Sequence, residues 1–420
     1  MTGLPTALWR PTPEQIATAA ITQFRQQCAP DCANSNDLHR WSITQLDDFW
    51  KAAWQWCGVI GDRGETAVNV GDPTDIRTAR FFPDATLSYA QNLLAGGDRP
   101  SANPVAIVAL REGGYREEVS WVDLRRQVNS CAAWLAAQGV APGDHVAAWL
   151  PNVAETVIAM LASNLLGAVF TSTSPDFGVA GVLDRFAQVS PKVLFATDGY
   201  VYAGKQLDRL TGLVDVVAEL PSLTAVGLVR VTGAIAPTSL TLSHAGEVPV
   251  STWAEVIATA GGPMPVEQRF DDPGFVLYSS GTTGKPKGIV HSAAAILLKQ
   301  ATEHQLHCDI RAGDRVFYFT TCGWMMWNWL VTVLATGATI ILYDGSPFAP
   351  GPTAMWDLAE QEKVTLFGTS AKFLDASRKA KNRPAVTHEL TELRTVTSTG
   401  SPLSDEGFAY VYQDVKSDVT

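Results

Sequence analysis

Residues 278–291, YSSGTTGKPKGIVH, gather the residue types that hold phosphate. Gly281, Gly284 and Gly288 place no Cβ between the backbone N–H groups and an approaching anion. Ser279, Ser280, Thr282 and Thr283 add hydroxyl donors. Lys285 and Lys287 add positive charge, which strengthens hydrogen bonds to phosphate oxygens, and Pro286 stiffens the turn between them. The preceding FVLY, residues 275–278, reads as a buried strand that fixes the root of the loop. The spacing is not that of a P-loop NTPase, which needs four residues between its first glycine and Gly-Lys and then a magnesium-binding Ser or Thr. Here Gly281 and Gly284 are too close, and Pro286 stands where that hydroxyl belongs. A plain Gly/Ser/Thr/Pro surface loop is the rival reading. Three glycines, four hydroxyls and two lysines after a buried strand favour a phosphate cradle.

Three further segments carry chemistry. TSTGSPLS, residues 397–404, follows an expected strand; its exposed backbone and flat Gly400-Ser401-Pro402 surface suit a purine ring, although strand-to-helix turns commonly hold these residues for purely local reasons. TTCGWMMWNW, residues 320–329, begins where another strand ends, the side of an open α/β sheet on which ligands bind. Trp324, Met325 and Met326 suit the wall of a small acyl pocket, while Trp324, Trp327 and Trp329 are equally able to fill core. FGTSAK, residues 367–372, offers Thr369 and Ser370 as pocket hydroxyls, with Ser370 also suited to cap a helix. Cys28 and Cys32 are a close pair without the second pair that a zinc site requires, and His304, His307 and Cys308 lie on an expected helix without further ligands. The expected metal set is therefore none.

The elements that must position these groups alternate. Strands are expected at 105–110, 145–150, 168–173, 193–197, 315–319, 338–343, 364–367 and 393–397. Helices are expected at 121–139, 152–166, 179–189, 293–307, 326–335, 354–362 and 371–379, with Asn152 as an N-cap. This pattern implies an α/β fold of parallel or mixed sheets covered by helices. Residues 200–270 read as a smaller β-rich part. Residues 1–100, with helical spacing over 43–56 and Trp9, Trp41, Trp50, Trp54 and Trp56, read as a cap packed on a body spanning 101–420.

A chain of 420 residues with 46% hydrophobic and 17% charged residues has ample core for more than one structural unit. Its net charge of −11 argues against a nucleic-acid surface, which needs clustered Lys and Arg. The longest apolar run, 157–170, is too short to span a membrane and contains Ser163 and Asn164. With no signal-peptide pattern, a cytoplasmic location is the default expectation. The six cysteines are too scattered for a disulfide framework.

SSGTTGKPKG resembles the phosphate signature of the adenylate-forming superfamily of acyl-CoA synthetases, luciferases and peptide-synthetase adenylation domains. RFFPDATLSYAQNLL, TSTSPDFG, CGWMMWNWLV, FGTSAKFL and TSTGSPL resemble the acetoacetyl-CoA synthetase group within it. The resemblance implies ligation of acetoacetate to CoA through an acyl-adenylate, with ATP, Mg2+ and CoA as reactants and cofactor. It places the β- and γ-phosphates on the loop 279–287, adenine at Gly400, Ser401 and Pro402, and the acyl and CoA pocket at Trp324, Met325, Met326, Thr369 and Ser370. Many relatives carry Glu where this chain has Ser401. Family members continue past the position of Thr420 into a segment completing the magnesium and acyl sites and a mobile domain with the adenylation lysine. The chain is accordingly expected to be an N-terminal portion with an incomplete body, the mobile C-terminal domain absent, inactive by itself and of unassigned oligomeric state. Two other readings stay open: a noncatalytic nucleotide or acyl-ligand binding module, and a ligase for acetate, propionate or another short acid.

Overall fold

Strands that are apolar on both faces need helices above and below them, and the chain supplies two such sheets. In the computed structural model, which describes residues 7–72, 74–235, 237–243, 246–279 and 284–420, an eight-stranded and a six-stranded sheet carry the fold. The eight-stranded sheet runs in the order Ser239–Leu242, Gly246–Thr252, Ala225–Val229, Val193–Thr197, His145–Trp149, Val169–Thr173, Pro273–Ser279 and Lys287–Ser292. Its six inner strands are parallel and each edge is an antiparallel hairpin. The six-stranded sheet runs Thr395–Thr399, Leu366–Ser370, Arg315–Tyr318, Thr339–Asp344, Val105–Arg111 and Tyr115–Ser120, parallel except for the last. Val193–Thr197 and Ala225–Val229 are buried at every residue, as strands covered on both faces must be.

The helix Ala154–Leu165 touches strands of both sheets and is buried at every position except Glu155. A helix apolar all round belongs inside, and this one is the apolar run too short for a membrane. Among the described residues no helix is long and apolar enough to cross one. Asn152 does not cap it: the N-cap is Val153, without a side-chain bond. Asn152 is drawn instead into contacts between the sheets, described below.

The expected helix over 43–56 is two helices, Ser35–Thr44 and Leu46–Cys57, broken at Gln45. In one straight helix Trp41 and Trp56 would stand about 22 Å apart at 1.5 Å per residue. The break lets both rings reach Phe24 of the helix Ala20–Cys28, at 6.4 and 5.5 Å between centroids. The irregular-looking stretch 200–270 contributes the helix Leu210–Ala218 and three strands of the eight-stranded sheet. Near the other end, the expected strand 393–397 lies two residues later, at Thr395–Thr399, paired in parallel with Leu366–Ser370.

Candidate active site

The phosphate-loop residues sit on the edge hairpin of the eight-stranded sheet. Pro273–Ser279 pairs with Lys287–Ser292 so that Ser279 stands opposite Lys287 and Tyr278 opposite Gly288. Ser280, Gly281, Thr282 and Thr283 lie outside the described residues. Gly284 has φ +108 with open space beside it, a conformation that a side chain would strain. The region of the helix Val179–Phe186 braces the hairpin. Tyr278 Oη donates to the Arg185 carbonyl at 2.9 Å, Gln188 Nε2 donates to the Pro286 carbonyl at 2.9 Å, and Lys285 Nζ lies 3.6 Å from Asp184 Oδ1. Lys285 is 82% exposed and Lys287 is exposed, so both charges are available to a ligand.

The six-stranded sheet brings the other segments to the carboxyl ends of three adjacent strands. Ser370 pairs with Thr399, and Tyr318 with Gly368. A Cβ on Gly368 would come within 2.1 Å of the Tyr318 ring, so glycine lets the ring lie across the neighbouring strand. Tyr318 Oη then donates to the Thr369 carbonyl at 3.2 Å and meets Thr399 Oγ1 at 2.8 Å. Thr369 is buried with its hydroxyl unpartnered, whereas Ser370 caps the helix Ala371–Lys379 by accepting from the Phe373 N–H. Gly400, Ser401 and Pro402 follow in an exposed turn before the helix Asp405–Tyr410.

Segment 320–329 crosses from this edge to the other sheet. Cys322 Sγ donates to the Leu150 carbonyl at 2.8 Å and Ser172 Oγ donates to the Cys322 carbonyl at 2.6 Å, and a Cβ on Gly323 would lie 3.6 Å from the Ser174 nitrogen. Asn152 fastens the same crossing: Nδ2 donates to the carbonyls of Thr320 and Tyr343, each at 3.3 Å, and Oδ1 accepts from Trp327 Nε1 at 2.9 Å. The tryptophans divide accordingly. Trp327 and Trp329 are core, while Trp324 is 59% exposed beside Met325, which begins the helix Met325–Thr332. Segment 320–323 thus forms a seam between the two sheets; Thr369, Ser370 and Gly400–Pro402 end or follow adjacent strands of the six-stranded sheet, while Ser279, Gly284, Lys285 and Lys287 lie on the edge hairpin of the other sheet, beside Val169–Thr173.

Sequence reasoning missed Asn152 and Tyr318 as parts of this region, because their partners lie 51 to 191 residues away in the chain. Asp344 ends a strand at the same edge, and desolvation pushes its carboxyl up to about 7. His304 and Cys308 are not brought into a ligand set; among the described residues no three His, Cys, Asp or Glu side chains group to hold a metal.

The AMP-binding enzyme family matches residues 98–418 of this chain. The acetoacetyl-coenzyme A synthetase of Rhizobium meliloti (strain 1021) is 44% identical over 417 residues, covering 98% of this chain and 62% of that protein. The malonamoyl-CoA synthetase vrtB of Penicillium aethiopicum is 37% identical over 404 residues, covering 91% of this chain and 56% of its own length. The solved acetoacetyl-CoA synthetase from Streptomyces lividans superimposes with a TM-score of 0.89 at 43% identity, over 97% of this chain and 62% of that one. The chain thus spans somewhat less than two thirds of the relatives it matches, and it belongs to the AMP-binding enzyme family.

Proposed function

We propose that this chain is the nucleotide- and acyl-binding body of an ATP-dependent acid–CoA ligase acting on acetoacetate. The carboxylate oxygen attacks the α-phosphorus of MgATP, giving the acyl-adenylate and pyrophosphate; the CoA thiolate then attacks the acyl carbon and releases AMP. Magnesium arrives as part of the MgATP substrate and neutralises phosphate charge. On this reading Ser279–Lys287 hold the β- and γ-phosphates, with the hydroxyls and Gly281 backbone donating and Lys285 and Lys287 balancing charge. Gly400, Ser401 and Pro402 lie against adenine, and Trp324, Met325, Met326, Thr369 and Ser370 bound the acyl group. Catalysis of this kind depends on positioning and on fixed charge.

The observation that carries the reading is the seam itself: the segment leading into the expected acyl wall is bonded at Cys322 to Leu150 and Ser172 of the sheet that carries the phosphate hairpin, while Thr369, Ser370 and the expected purine turn end or follow adjacent strands of the other sheet. The relatives support the substrate class, since acetoacetyl and malonamoyl groups both bear a second carbonyl two carbons from the thioester carbon. The test is CoA-thioester formation and AMP release by the full-length gene product with acetoacetate, ATP, Mg2+ and CoA. Turnover with acetoacetate well above acetate and propionate supports the assignment. Nucleotide binding without release of AMP for any acid would overturn it.

A further inference from the structure

The helix Ala293–Thr302 and the π-turn Glu303–His307 after it bury polar groups whose hydrogen bonds are incomplete. Gln300 is fully buried; its Nε2 lies 3.7 Å from Met325 Sδ, and its Oε1 is unbonded. His304 is also fully buried, with neither ring nitrogen bonded and its ring edge-on to Trp329 at 4.4 Å between centroids. Met325 and Trp329 are four residues apart, as are Gln300 and His304, so the two helices run side by side with these pairs matched. Trp329 in turn meets Tyr318 at 5.8 Å, and Tyr318 reaches Thr369 and Thr399. The polar pair therefore lies directly behind the candidate acyl wall.

An interior amide with its oxygen unbonded is a burden that an apolar side chain avoids, and the helix takes that course at Leu297, Leu298 and Ala301. Its N–H contact to a thioether sulfur is weak and easily surrendered. π-Turns of this kind concentrate at functional sites, because the extra residue re-aims the side chains around it.

We propose that Gln300 is a specificity-determining residue of the acyl pocket, its amide N–H donating to the second carbonyl of a short 3-oxo acid, with His304 as the positioning residue for that amide. The inference rests on the acyl-activating reading above. A ketone oxygen only accepts, so its partner must be a donor, which Gln300 supplies and Met325 cannot. The neutral His304 ring carries one N–H, one turn along, able to hold the amide oxygen while the amide nitrogen turns to the ligand. An unsubstituted acid of four carbons fills the same space and leaves the amide unpaired. Sites built to bond a polar group reject the analogue that lacks it for this reason.

Calorimetric titration of the full-length gene product with two non-hydrolysable adenylate analogues, acetoacetyl- and butyryl-sulfamoyl adenosine, tests the inference. The wild type should bind the keto analogue roughly 10- to 100-fold more tightly, the effect of one buried hydrogen bond made or left open. Gln300→Met should bring that ratio to within about twofold, and His304→Phe should give an intermediate ratio. Equal binding of both analogues by the wild type, or an unchanged ratio in Gln300→Met, overturns the inference while leaving the ligase reading intact. Binding of neither analogue overturns both. Should the methionine variant fail to fold, Gln300→Leu takes its place, and a wild-type ratio near one still decides against the proposal.

Discussion

Two aromatic clusters in this molecule look alike in sequence and differ in what they bury. In the N-terminal helices, Phe24 is enclosed by Trp41, Phe49 and Trp56, mostly edge to face, and none of these rings leaves a polar atom stranded inside. Around Trp329 the neighbours are His304 and Tyr318, and the surroundings hold unbonded atoms on Gln300, His304, Asn328 and Thr369. The first cluster is explained by packing alone. The second tolerates polar groups whose bonds the protein does not complete, the feature on which the proposed ligand contact rests.

The contrast can be broken experimentally. Phe24→Ala should cost about 3–5 kcal/mol in urea unfolding, as deletion of a buried ring does, while leaving the ratio of keto to butyryl analogue binding untouched. A changed ratio would show that the N-terminal cluster also shapes the pocket. Asn152→Ala should cost less, about 2–3 kcal/mol, by stranding the Trp327 N–H and two carbonyls, but should weaken acyl-analogue binding measurably. Retained affinity would separate the inter-sheet clamp from the site.

Smaller effects come from titration. Asp344, raised to about 7 from 3.8, keeps a proton in the folded state that the unfolded chain has lost. Its contribution to stability is full below about 4 and is lost as pH rises toward 7. His304, lowered to about 3 from 6.5, behaves oppositely: its contribution is full above about 6.5 and is lost as pH falls toward 3. Between pH 4 and 6.5 the two slopes oppose, each at most about 1.4 kcal/mol per pH unit. Melting curves of Asp344→Asn should therefore show stability rising with pH more steeply than in the wild type, and those of His304→Phe the reverse; parallel curves would sink the assignment. Least affected should be Lys287→Ala, which removes an exposed charge: in the full-length protein the apparent affinity for ATP should fall about fivefold, with no change in melting temperature. An unchanged affinity would count against its phosphate role.

How much of this could be read beforehand depended on the distance over which each residue finds its partner. The strand at 193–197, an unbroken apolar run, and the helix at 371–379 stand where expected, and the helix expected over 121–139 starts as expected and ends at Ala137. Ala225–Val229, equally buried, was hidden because Gly227 interrupts its short apolar run and reads as a break. Asn152 offered a local use as a cap, and long-range bonds took precedence over it. The π-turn was invisible because Glu303–His307 continues an ordinary helical text. One signal was available and overlooked: Gln300 falls seven residues after Ala293 and three after Leu297, on the core-facing stripe, where a polar residue needs a reason.

The Asn152 amide also has a mechanical meaning. It follows a strand of the eight-stranded sheet and is fastened to the ends of two neighbouring strands of the six-stranded sheet and to the indole of Trp327, so it acts as a caliper set at one opening. A ligand seated against Trp324–Met326 that exceeds this opening cannot push the wall back without parting both sheets. Tolerance for chain length should then behave as a threshold, with acids accepted up to a limit and refused abruptly beyond it.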